Sequence, residues 1–154
     1  MHASTEKRLQ LAADACRLGG SELTALRRTV LSLILDADTP PTAYQLLERL
    51  SATRKKGVAP PTIYRALDFL VEQKLVHKLE RLNAFVPCIE GGHHGHPAAF
   101  LICRACETVE EVEDPAMAEA LNRVAAERGF RTRRSTVEIE GICAACIEAG
   151  QGAG

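Results

Sequence analysis

A chain of 154 residues and 16.7 kDa has the size of one domain, or of two small ones that each lean on a partner subunit. Hydrophobic residues at 46% and charged residues at 25% are ordinary globular values that exclude wholesale disorder, collagen-like repeats and coiled-coil fibres, while 4% aromatics without Trp argue against stacking platforms for single-stranded nucleic acid or a sugar cleft. The net charge of -1 hides a split, +3 over residues 1–90 and -4 over residues 91–154, so a polyanionic partner is expected on the N-terminal half.

Taken in chain order, the N-terminal half reads as short amphipathic helices. Residues 4–17 place Leu9, Ala12, Ala13 and Cys16 at helical spacing and stop before Gly19-Gly20. Cys16 is expected to be a small buried apolar residue there. A second helix starts near Ser21 or Thr24, with Leu23, Leu26, Val30, Leu33 and Ile34 on one stripe. Thr42 and Gln45 form a capping box that starts a third, with Leu46, Leu47 and Leu50 inward. Pro60-Pro61 lead into a fourth helix, residues 61–73, on which Ile63, Ala66, Leu67, Leu70 and Val71 must face a core. Thr62, Tyr64, Arg65 and Asp68 are left outward. An exposed Tyr-Arg pair on the first turns of such a helix is where base edges are read in the major groove; the alternative is an ordinary solvated face.

Residues 76–80 and 84–88 alternate as two strands, which makes the half a winged helix. A turn centred between Leu82 and Asn83 sets His77 directly across from Cys88, where an imidazole and a thiolate could share one ion or simply share a sheet face. Residues 90–97, with His93, His94 and His96, read as a hinge. Beyond it come strands over 99–103 and 108–113, a helix over 115–128 and a strand over 132–140, expected to assemble as a helix on a small antiparallel sheet. The fold class is therefore α+β: a winged-helix domain over 1–89, a hinge over 90–97, a second domain over 98–148 and a loose tail over 149–154.

No apolar run approaches the roughly 20 residues of a membrane-spanning helix, and the first ten residues lack a signal-peptide core, so a cytoplasmic location without membrane partners is expected. Cysteines in such a chain are metal ligands more readily than disulfides. Cys103-Arg104-Ala105-Cys106 and Cys143-Ala144-Ala145-Cys146 form a C-x-x-C…C-x-x-C set, and four thiolates satisfy tetrahedral zinc with no open position, which defines a structural site. His77, Cys88, the hinge histidines and Glu110-Glu111 are left over as donors from both halves. A mixed sulfur, nitrogen and oxygen set suits zinc, and an ion bound across a hinge would fix one angle out of many; solvated hinge histidines are the alternative.

Leu23-Thr24-Ala25-Leu26-Arg27, Ala43-Tyr44-Gln45-Leu46-Leu47, Pro61-Thr62-Ile63-Tyr64-Arg65-Ala66-Leu67, Val76-His77-Lys78 and both C-x-x-C pairs, in this order and spacing, resemble the Fur family of bacterial metal-dependent regulators, and within it the zinc-sensing branch. The resemblance implies a homodimer whose second domain is the dimerisation domain, and a repressor whose metal-bound form grips an AT-rich palindromic operator of double-stranded DNA upstream of zinc-uptake genes. It also implies two zinc ions per chain: a structural one on Cys103, Cys106, Cys143 and Cys146, and a regulatory one on His77, Cys88, His96 and Glu111. Tyr44 and Arg65, with Tyr64 beside them, match residues that approach bases. Lys55, Lys56, Arg27 and Arg28 are candidates for phosphate contacts.

An enzyme is not expected, nor a small-molecule substrate. No histidine is followed by Glu at the spacing a zinc deaminase needs, and no H-E-x-x-H run, phosphate loop or Ser/His/Asp order occurs. The remaining alternative keeps the fold and changes the signal to iron, manganese, peroxide or haem, against which Cys88 argues.

Overall fold

The computed structural model describes residues 3–54, 56–88, 97–133 and 135–152. The chain divides into two compact units, Met1–His93 and His94–Gly154.

In the first unit, α1 (Ala3–Leu18) buries Leu9, Ala12 and Cys16 and ends at Gly19-Gly20, where Gly20 takes φ +77° and the Ser21 N–H returns to the Cys16 carbonyl at 2.8 Å. Thr24 caps α2 (Ala25–Leu35), which sends Val30, Leu31 and Ile34 into the core. The capping box of α3 (Ala43–Thr53) forms as expected: the Gln45 N–H donates to the Thr42 hydroxyl at 3.2 Å, and the Gln45 amide accepts from the Thr42 N–H at 2.9 Å. α4 (Pro60–Glu72) has no side-chain cap, but prolines in its first turn bring no N–H that would need one. Its stripe of Ile63, Ala66, Leu67 and Leu70 meets Leu46 and Leu50 of α3 and Ile34 of α2 in one core. At about 1.5–3 kcal/mol for each large apolar side chain removed from water, this core is the principal source of the unit's stability.

Two antiparallel strands follow, β1 (Val76–Leu79) and β2 (Ala84–Pro87). The Phe85 N–H donates to the Pro41 carbonyl at 2.9 Å and Thr42 bridges to Ala84, so the wing is stitched to the start of α3. The register corrects the expectation: His77 pairs with Val86, not with Cys88. Residues 80–83 form the loop, closed by the Asn83 N–H on the Glu80 carbonyl at 3.3 Å, with Asn83 in the left-handed region at φ +48°. Asn tolerates that conformation, so it ends the loop and moves the turn's centre back by one residue. Cys88 then lies two residues beyond Val86, on the same face as His77.

The second unit contains β3 (Ala98–Cys103), β4 (Val109–Val112), α5 (Pro115–Glu127), β5 (Thr136–Gly141) and a short α6 (Ala144–Glu148) that the sequence pattern did not announce. The strand order is β4-β3-β5. β3 is antiparallel to β4 but parallel to β5, so the sheet is mixed rather than antiparallel as expected. The connection through α5 returns the chain to the end of the sheet that β4 reached; β5 then opposes β4 in direction and, on the far edge of β3, runs with β3. Asp114 caps α5, accepting from the Ala116 N–H at 2.8 Å, yet Ala118 is its one buried residue. Leu101 and its register partner Ile139 are exposed on the sheet, and Val124 of α5 and Phe130 beyond it are exposed as well. The chain end is tied rather than loose as far as Gln151, whose N–H reaches the Cys146 carbonyl at 2.9 Å. Among the described residues no helix is long and apolar enough to cross a membrane.

Candidate metal centre

Cys103 ends β3 and Cys106 follows in the turn to β4. That turn is closed by the Cys103 N–H on the Thr108 carbonyl at 3.0 Å and the Glu107 N–H on the Cys103 carbonyl at 2.9 Å, with Glu107 at φ +58°. Cys143 occupies the N-cap of α6 and Cys146 its first turn. The parallel pairing of β3 with β5 brings both C-x-x-C turns to one end of the sheet, where the Arg104 N–H donates to the Gly141 carbonyl at 2.9 Å. All four Sγ atoms lie within 4.8 Å of one another. A tetrahedron of zinc–sulfur bonds of about 2.3 Å has edges of about 3.8 Å. The Cys106 and Cys143 sulfurs are 3.8 Å apart, so the donor set fits that ion.

The shifts of three of the thiols, Cys103, Cys106 and Cys146, point the same way. The Cys143 N–H donates to Cys103 Sγ at 3.3 Å and, with the Cys106 backbone, pulls the Cys103 thiol down to about 6. The Thr108 hydroxyl, 2.9 Å from Cys106 Sγ, lowers that thiol as well. Cys146 is pushed up to about 12, first by sharing its proton with the Cys143 sulfur and then by burial. Some of the set is prepared as thiolate while the last member resists ionisation beside its neighbours, and a dication resolves that conflict by neutralising all of them. Thr108 carries no metal-ligand signature in the sequence; only the turn geometry reveals its part.

The second group of expected donors is divided between the units. Within the first unit, a ring nitrogen of His77 and Cys88 Sγ lie within 4.8 Å of each other. They are diagonal rather than directly opposed, which the longer imidazole reaches. Glu111 lies on β4, in register with Phe100. His96, like His93 and His94, lies outside the described residues, as does Lys55.

Tyr44, on the first turn of α3, is 67% exposed, and Tyr64, on the first turns of α4, is 54% exposed with Arg65 beside it. Lys56 is exposed. Arg27 and Arg28 are engaged within the unit: the Arg27 guanidinium stacks 3.6 Å from the Phe69 ring centroid and donates to the Glu22 carbonyl at 2.7 Å, and Arg28 pairs with Glu6.

The sequence profile of the Ferric uptake regulator family matches residues 19–140. The zinc uptake regulation protein of Escherichia coli (strain K12) is 37% identical over 145 residues, covering 94% of this chain and 84% of that protein. Among solved structures, a zinc uptake regulator complexed with zinc and DNA superposes with a TM-score of 0.88 at 36% identity, over 97% of this chain and 99% of that one. Holo XcZur superposes with a TM-score of 0.80 at 41% identity, over 91% of this chain and 96% of that one. With the family profile matching residues 19–140 and a relative 37% identical over most of both chains, the chain belongs to the ferric uptake regulator family.

Proposed function

We propose that the chain is a zinc-responsive transcriptional repressor, a homodimer whose zinc-bound form binds an AT-rich palindromic operator in double-stranded DNA and shuts off zinc uptake. Each chain holds two zinc ions. Cys103, Cys106, Cys143 and Cys146 hold the structural one; His77, Cys88, His96 and Glu111 hold the regulatory one. The observation that carries this reading is the His77–Cys88 pair on the wing of a DNA-reading unit, a nitrogen and a soft sulfur donor within 4.8 Å, which favours zinc over the oxygen-preferring metals. The relatives named for zinc uptake support it. The apolar groups that the second unit leaves exposed, Leu101, Ile139, Val124 and Phe130, supply the surface a partner subunit would cover.

Zinc does its work by selecting one arrangement of the two units. The two copies of α4 must reach successive major grooves, about 34–36 Å apart, and a protein that samples many angles meets that spacing rarely. Shifting a two-state equilibrium from 1:99 to 99:1 takes about 5.5 kcal/mol of preferential binding, which a four-ligand zinc site can supply. The test is operator binding as free zinc is buffered upward at fixed salt, since phosphate contacts otherwise mask the metal effect. A steep rise in specific binding at low free zinc, absent with iron or manganese, is expected. Equal activation by iron or manganese transfers the protein to another sensing branch, and no metal dependence removes the switch.

Tyr44, Tyr64 and Arg65 are the residues proposed to approach bases. Arg65→Ala is expected to cost about 1–3 kcal/mol of specific binding and to flatten discrimination on a panel of operator variants. A uniform weakening across the panel, with a smaller salt slope, reassigns Arg65 to phosphate.

A further inference from the structure

Cys88 is held by its backbone from two sides, and one of the two holds comes from a distant helix. Its N–H donates to the Leu75 carbonyl at 3.0 Å, extending the β1–β2 ladder by one hydrogen-bonded pair beyond the strands. In such a pair the two residues exchange both bonds, so the Leu75 N–H would close it on the Cys88 carbonyl. It does not. Lys74 takes φ +58° at the end of α4, and the Leu75 N–H turns back to the Leu70 carbonyl at 2.9 Å to terminate the helix. The carbonyl that the ladder gives up is taken by Arg8 of α1, whose Nη2 donates to it at 3.1 Å across 80 residues of sequence.

We propose that Arg8 is a positioning residue for Cys88, holding the thiolate at the angle the regulatory zinc requires and tying the seat of α1 to occupancy of that site. The proposal rests on the reading of Cys88 as a zinc ligand. Arg8 can act this way because its own helix is fixed to the helix-turn-helix. Thr5 donates to the Asp36 carboxylate at 2.6 Å, Glu6 pairs with Arg28 of α2, Arg28 also reaches the Leu9 carbonyl at 3.5 Å, and Leu9 is buried in the core. A rotation of the Cys88 peptide that zinc favours or opposes is therefore felt by α1, and through it by α2. Groups that orient a ligand without touching the metal change metal affinity by about 10–100-fold when removed.

The experiment uses the full-length dimer with zinc in the four-cysteine site and cobalt(II) titrated into the second site, reading the near-ultraviolet thiolate-to-cobalt band that Cys88 contributes. Arg8→Met, similar in length but without donors, is expected to raise the cobalt midpoint about tenfold or more and to weaken the band per bound ion. Arg8→Lys, which keeps a charge and a donor, restores most of both, and zinc content and the unfolding midpoint stay at wild-type values. If Arg8→Met does not fold, Arg8→Ala, which also lacks a donor, makes the same comparison. Cys88→Ser separates the outcomes. Loss of the band in Cys88→Ser with wild-type titration of Arg8→Met overturns the role of Arg8 alone. Retention of the band in Cys88→Ser overturns the ligand reading and the proposal with it. Equal weakening in Arg8→Met and Arg8→Lys with a lowered unfolding midpoint makes Arg8 a structural tie only.

Discussion

Cys146→Ser is expected to lose one zinc ion per chain and, with it, the folded state of the second unit. Among the described residues of that unit, Phe100 and Ile102 are the large side chains that are buried; Pro97, Ala99, Cys103, Ala118 and Cys146 are the other buried apolar residues. So small a core gives the unit little stability of its own. A structural zinc contributes on the order of 10–16 kcal/mol, as much as the whole net stability of an ordinary domain, so its loss is enough to unfold the unit. Serine cannot replace the soft thiolate, and Cys146, with Cys103, is one of the two buried donors of the set. Metal analysis should show the four-cysteine zinc gone and the second ion, which would draw Glu111 from β4, more easily removed; light scattering should report monomer, and far-ultraviolet circular dichroism should lose the strands of this unit while the helices of the first remain. Lowering the pH acts in the same direction, because zinc must displace the protons of the four thiols and does so less readily as protons become abundant. A Cys146→Ser protein that remains a dimer with an unchanged unfolding transition would show that the cluster is dispensable to the fold.

The first unit was legible almost residue by residue, and the reasons are local. The stripes of α2, α3 and α4 follow the helical period, Thr42 and Gln45 announce the start of α3, and Gly19-Gly20 and Pro60-Pro61 punctuate the chain where the backbone requires them. What failed was information that is not local. Alternation in β5 is the same whether its neighbour runs with it or against it, so the parallel pairing with β3 had no signature. The wing register turned on Asn83 accepting a left-handed conformation, one dihedral angle that shifts every cross-strand pair. The four cysteine sulfurs still meet despite both errors, because each C-x-x-C spacing places its pair on one turn whatever the sheet's order. The His77–Cys88 pair survived the register error for a different reason: a change of two positions returns a side chain to the same face of a sheet. Thr108 and Arg8 were invisible in the sequence, since each acts through a hydrogen bond that only the fold creates.

Cys88→Ser should abolish the response to zinc while leaving the protein folded and dimeric. The substitution exchanges one sulfur for one oxygen at a buried position, so the cost to the wing is small, but a neutral hydroxyl is a poor zinc ligand and the proposed regulatory set would fall to nitrogen and carboxylate donors. If zinc must supply about 5.5 kcal/mol of preference between two arrangements of the units, losing half of it leaves only about half of the protein competent, and losing all of it returns the competent form to about 1%. Operator affinity at saturating zinc is then expected to fall by up to about two orders of magnitude, toward the value without regulatory metal, with zinc content dropping from two ions per chain to one. The four-cysteine site provides the internal control. Its zinc remains, the dimer remains, and non-specific DNA binding with its salt slope is unchanged because no phosphate-contacting residue has been touched. The opposite result is equally informative. Full zinc response in Cys88→Ser would mean that the soft donor is not part of the switch, and response instead to iron or manganese would show that this one sulfur separates the zinc-sensing members of the family from its oxygen-ligated branches.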